Sequence, residues 1–185
     1  MSAATPQLPP IIYAACSGEI SQDTLQRTIS ASTQIMGAGC KEVHLMLQSG
    51  GGYIGAGIAL YNYFKALTLD VTIYNTGTVA SMASVAFLGI PKRKVSKHAT
   101  FMLHRSHRTM QGATAAKLEE AAASLRIDDE RTEAILREHI KLTDHQWKEL
   151  NYNELIFNAE DAIKIGFAQE IADFAPPPGT GIFTF

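Results

Sequence analysis

Three short segments hold the residue types that could cleave an acyl bond: Ser49-Gly50-Gly51-Gly52, then Ala80-Ser81-Met82-Ala83, then Phe101-Met102-Leu103-His104. Amide hydrolysis needs a nucleophile, a base to take its proton and fixed donors for the oxyanion, and each helps only when held in place. Ser81 follows a strand-like stretch and opens a run of small residues, which puts its hydroxyl at a helix N-terminus among free backbone N–H groups. An ordinary N-cap would look the same. His104 closes a β-compatible run and by itself reads as a hydrogen-bonded strand histidine; Ser81 gives it a proton to accept. The glycines let backbone donors approach a carbonyl closely, or merely join strand to helix.

Other chemistries fit these residues less well. Gly50, Gly52 and Gly55 satisfy the dinucleotide-binding pattern, with Asp70 about twenty residues on. Asp70 precedes its strand, however, whereas a ribose-binding acid belongs at a strand's carboxyl end. The Gly-x-Ser-x-Gly elbow of the α/β-hydrolases is replaced by Val79-Ala80-Ser81-Met82-Ala83. His107 lies three residues after His104, on the opposite face if the strand continues, and no catalytic or metal role is expected of it. Asp128, Asp129, Glu130 and Glu133 have no His or Cys among them and read as a solvated helix face. No metal or cofactor is expected. Cys16 and Cys40 lack metal-knuckle or disulfide-framework spacing and read as reduced structural thiols.

The elements that must position Ser81 and His104 alternate in type. Ile11 to Ala15 reads as a buried strand, and a helix capped by Ser21 runs to Gly37 and Gly39. Lys41 to Gln48 is strand, the glycine run a turn, and Ile54, Ile58, Tyr61 and Phe64 mark a helix. Val71 to Asn75 is strand, Ser81 to Leu88 a buried helix and Ala99 to His104 a strand. Between Thr114 and Lys141, which lack Gly and Pro, Leu118, Ala122, Leu125, Ile135, Leu136 and Ile140 keep broadly to one face. A helix that long would project and suggests a subunit contact. Thr143 and Gln146 form a capping box, Asn158 caps a helix ending at Gly166, and Phe167 to Ala172 closes as strand. The tail 174–185, rich in Pro and Gly, reads as extended or mobile. The fold class is α/β.

With 185 residues, 46% hydrophobic and 18% charged, one domain is expected, over residues 11–173 behind an extended segment 1–10. A formal charge of -2 gives no electrostatic reason to expect nucleic acid or an anionic membrane. The first ten residues lack a signal peptide's basic start and apolar core, and no run reaches a membrane span, so a cytoplasmic protein is expected.

In order and spacing, the glycine run with Gly57 and Tyr61, the Val79-Ala80-Ser81-Met82 serine motif and the strand ending in His104 resemble the proteolytic subunit of the Clp proteases. The resemblance extends from about Ile11 to Ile171. It implies a spiral of ββα units, shared with crotonases, and a serine endopeptidase acting on polypeptides through an acyl-enzyme. The triad would be Ser81, His104 and an acid. The family's aspartate falls on Glu154, with Asn153 as neighbouring alternative. The oxyanion hole would use the N–H of Gly52, or Gly51, and of Met82. Residues 114–141 match a handle helix that interlocks two heptameric rings, which implies a homo-oligomer. A Clp-type ATPase partner is implied too, against which stands the short stretch ahead of the first strand. Arg105-Ser106 and Arg108-Thr109 depart from the family's sequence after the histidine. A catalytically silent structural subunit and a crotonase-like acyl-CoA enzyme are the alternatives.

Overall fold

The computed structural model describes residues 10–185; the segment expected to be extended, Met1 to Pro10, lies outside the described residues except for Pro10. Strands and helices alternate as the periodicity predicts: β1 (Ile11–Ser17), α1 (Gln22–Gly37), β2 (Glu42–Ser49), α2 (Ile54–Ala66), β3 (Asp70–Ala80) and α3 (Met82–Phe87). They are followed by β4 (Lys92–Val95), β5 (Thr100–Leu103), α4 (Ala115–His139), α5 (Asp144–Glu149), β6 (Leu155–Asn158), α6 (Ala159–Ile165), β7 (Glu170–Ile171) and β8 (Ile182–Thr184). The fold is α/β, with β1, β2 and β3 paired in parallel.

The caps sit where expected. Ser21 accepts the Thr24 N–H at 3.2 Å, Thr143 and Gln146 make the reciprocal capping box, and Asn158 accepts the Asp161 N–H at 2.9 Å. Gly166 ends α6 at φ 94°, a conformation that favours glycine.

The sheet forks along β3. Residues Thr72 to Asn75 pair with Lys92 to Val95 of β4, whereas Thr78 to Ala80 pair with Thr100 to Met102 of β5. Asn75 stands fully buried at the fork: its Nδ2 donates to the Thr100 carbonyl at 2.9 Å and its Oδ1 accepts the Gly77 N–H at 3.1 Å. One side chain thus supplies the backbone partners that the ladder loses as it changes neighbours.

Several elements differ from expectation. β4 reads Lys-Arg-Lys-Val, and periodicity hides it because one of its two inward positions is Arg93, 8% exposed, the other being Val95. That guanidinium donates to the carbonyls of Phe167, Ile90 and Gly166 at 2.7, 2.9 and 3.2 Å, so carbonyl dipoles solvate a buried cation. Burial pushes its pKa down. β6 is only four residues long and was not separable from the loop around it. The strand expected over 167–172 shortens to β7, and the tail expected to be extended or mobile instead adds β8 in parallel to the edge of β1. The expected face of the long helix is only partly covered: α4 is exposed at every residue from Ala115 to Glu120, and Leu118 remains 51% exposed. Within the core, Phe101 packs edge-on to Phe87 at 5.1 Å and stacks on Phe167 at 4.5 Å, seating β5 against α3.

Candidate active site

Ser81 sits at the junction of β3 and α3 with φ 54° and ψ -126°, the only non-glycine residue at positive φ among those described. These are nearly the dihedrals a type II′ turn asks of its first central residue, a position that favours glycine. A serine held there stores backbone strain of roughly 1–3 kcal/mol, and the surroundings enforce it. The Ser81 N–H donates to the Met102 carbonyl at 2.8 Å, and Ser84 Oγ donates to the carbonyls of Val79 and Met102 at 2.9 and 3.1 Å. Ser81 makes no side-chain cap bond to its helix, which removes the N-cap reading.

The hydroxyl meets the histidine instead. Ala80 pairs with Met102 across the parallel ladder, which brings the ends of β3 and β5 together and sets His104, one residue past the end of β5, next to Ser81. The contact between His104 Nε2 and Ser81 Oγ is 2.8 Å. It is within the reach required for a base and its nucleophile.

The glycine run closes the other side. A Cβ on Gly51 would lie 2.6 Å from Ser81 Cβ and 3.0 Å from its Oγ, and Gly51 itself is at φ 100°, so only glycine allows the turn to touch the serine. A Cβ on Gly52 would collide with the Ile20 carbonyl oxygen, and one on Gly57 would lie 2.7 Å from Met82 Cε. The Gly51 N–H is already donated to Ser49 Oγ at 3.1 Å. Gly52 is exposed, and both it and Met82 face a cleft of about 670 Å³ that also holds Ser81 and His104. Of Gly51 and Gly52, Gly52 is the one that lines this cleft.

The structure does not join Glu154 to the pair. β5 and β6 run antiparallel with Leu103 opposite Leu155, so the next register position sets Glu154 opposite His104, yet both Glu154 and Asn153 are exposed. Among the described residues His104 Nδ1 has no hydrogen-bond partner.

Two readings need correction. β5 stops at Leu103, so His107 is not on the far face of a continuing strand: its ring lies 5.1 Å from that of His104, tilted by 42°. The acidic stretch of α4 is not simply solvated either. Glu133 pairs with Arg105 at 2.6 Å, Asp129 accepts the Ser106 N–H at 2.8 Å, and Asp128 faces the cleft. The four-residue spacing of Asp129 and Glu133, with Arg105 next to the histidine, was the available signal. It lacked only the knowledge that α4 passes this loop. Asp70, at the start of β3, pairs with Lys92 at 2.6 Å and stands away from the glycine turn, as the argument against a dinucleotide requires.

A largely parallel α/β sheet that holds a strained serine against an imidazole fits one class of protein, the hydrolases that work through an activated hydroxyl. The Clp protease family model matches residues 15–174. The ATP-dependent Clp protease proteolytic subunit 4 of Rhodococcus jostii is 30% identical over 133 residues, 71% of this chain and 68% of that protein. Subunit 2 from Corynebacterium efficiens is 28% identical over 140 residues, covering 75% of this chain and 70% of its own. Subunit 1 from Chlamydia felis is 28% identical over 137 residues, covering 73% and 67%. The chain belongs to the Clp protease family and is a serine-type peptidase. Among the described residues no helix is long and apolar enough to cross a membrane.

Proposed function

We propose that this chain is a serine endopeptidase that cleaves polypeptides through an acyl-enzyme, with Ser81 as nucleophile and His104 as general base. The 2.8 Å contact between His104 Nε2 and Ser81 Oγ carries the reading. As Oγ attacks the scissile carbonyl, its proton passes to Nε2. The tetrahedral oxyanion falls to the N–H groups of Gly52 and Met82, with Gly51 shaping the turn rather than donating. Each such donor is typically worth about 3 to 4 kcal/mol in the transition state. Collapse expels the amine, which takes the proton from His104; water, deprotonated by the same imidazole, then releases the acyl group.

Glu154 is the proposed third member, and Asn153 its alternative. It occupies the register position opposite His104, where a carboxylate reaching Nδ1 would orient the ring and stabilise the imidazolium. The open Nδ1 also favours a second reading, a catalytically silent subunit of the same fold.

The assembly proposed is a homo-oligomer, in the form of stacked heptameric rings that enclose the sites, in the cytoplasm. The uncovered first turns of α4 support a subunit contact there. A Clp-type ATPase partner is proposed from the relatives' description as ATP-dependent.

A fluorophosphonate probe tests the chemistry. Labelling is expected on Ser81, absent in Ser81→Ala and reduced about 100- to 10,000-fold in His104→Ala. Equal labelling of Ser81→Ala would exclude the assignment, and an unlabelled wild type would support the silent subunit.

A further inference from the structure

Contacts on either side of the segment after His104 fasten it in place. Arg105 Nη2 donates to Glu133 Oε2 at 2.6 Å and its Nε to Asn151 Oδ1 at 3.0 Å, while the Ser106 N–H donates to Asp129 Oδ1 at 2.8 Å. Glu133 Oε1 in turn takes Arg137 at 2.7 Å. Asp129, Glu133 and Arg137 are spaced by four and share one stripe of α4. The Arg105 and Glu133 side chains are 22% and 24% exposed, which makes their bond less open to solvent screening than a surface pair. Burial pushes the Glu133 carboxyl up, but hydrogen bonds from Arg105 and Arg137 outweigh it and hold the pKa below its ordinary value. The carboxylate is ionised at neutral pH.

His104 needs such support. It stands one residue beyond the end of β5, its Nδ1 has no partner among the described residues, and the hydrogen bond its side chain makes is the one to Ser81. Without a fixed backbone on its far side, the ring could turn away from the hydroxyl.

We propose that Arg105, Asp129 and Glu133 form a latch that positions His104, pinning the backbone after it to α4 so that Nε2 stays on Ser81. This rests on the Ser81–His104 chemistry proposed above. The three are positioning residues and touch no reacting atom. The seat of α4 thereby sets the aim of the catalytic imidazole.

The test uses the full chain with Arg105→Ala, Glu133→Gln, their double variant and the charge reversal Arg105→Glu with Glu133→Arg. Fluorophosphonate labelling of Ser81 is expected to slow about ten- to a hundredfold in each single variant, since small misplacement of a reacting group costs that much. For a peptide substrate, kcat should fall while KM stays near wild type. The double variant should be no slower than the slower single one, and the charge reversal should recover most of the rate. Wild-type labelling rates in both singles, or losses that multiply in the double, would overturn the latch. Should Arg105→Ala fail to fold, Glu133→Gln, which keeps the shape, decides alone. The His104 imidazole resonances, followed by nitrogen-15 NMR, separate the two proposals. If the wild type does not label, the hydrolase reading fails, while resonances that broaden in Glu133→Gln still support the latch and unchanged ones reject it.

Discussion

At Ser81 one residue meets two conflicting demands. The β3–α3 junction favours glycine because φ is 54°, whereas the proposed chemistry requires a hydroxyl. Ser81→Gly should therefore be more stable than Ser81→Ala by about 1 kcal/mol, since alanine keeps the strained backbone and glycine relaxes it. Urea unfolding of the two variants, both without nucleophile, measures the difference, and equal midpoints would contradict the strain. Gly51 is bound by the opposite logic, because any side chain there enters the space of Ser81. Gly51→Ala is expected to abolish fluorophosphonate labelling through displaced geometry although the Gly51 N–H is committed to Ser49.

Among the elements, β3 decides the most, since its upper half presents Ser81 only because its ladder changes from β4 to β5. Asn75 holds that change, and Asn75→Ala would leave a half-buried Thr100 carbonyl and Gly77 N–H without this partner and a space where the buried amide stood. A loss of about 2–4 kcal/mol is expected, since each unsatisfied buried group costs about 1–3 kcal/mol. Thermal unfolding of the variant checks it. At the end of α4, the Tyr61 hydroxyl and His139 Nε2 lie 2.9 Å apart, and burial, with the nearby Arg93 charge, holds the His139 pKa below its ordinary 6.5. The unfolded chain then binds the proton more readily than the folded one. The stability this histidine contributes is full above pH 6.5 and declines as pH falls through 6.5 toward the lower folded value. That part of the slope should vanish in His139→Asn when unfolding is compared over this pH range.

For the whole molecule, the exposed apolar residues of α4 matter most. Leu118 and Ile127 are 51% and 58% exposed, on a helix whose opening residues, Ala115 to Glu120, are all exposed. Under the proposed assembly, Leu118→Glu with Ile127→Glu should shift the wild-type oligomer toward monomer in sedimentation velocity, at nearly unchanged melting temperature. An unshifted distribution would place the subunit contact elsewhere.

The pairing of Ser81 with His104 followed from the resemblance to the Clp proteases, whereas local signals in the sequence determined the caps at Ser21, Thr143 and Asn158, the helices and the main strands. Each of these depends on residues a few positions apart, or on a pattern that hydrophobic periodicity writes directly. Only the tertiary structure decided how β3 divides its partners, why Arg93 is inside, that β8 covers the edge of β1, that His107 comes beside His104, and that carboxylates of α4 hold the two residues after it. Those outcomes depend on which distant segments become neighbours, and a side chain's own surroundings in the chain carry no trace of that. Glu154 lies between the two cases: its position in the chain matches an acid's place, and the β5–β6 register sets it across from His104, but a hydrogen bond needs a rotamer that neither spacing nor register fixes.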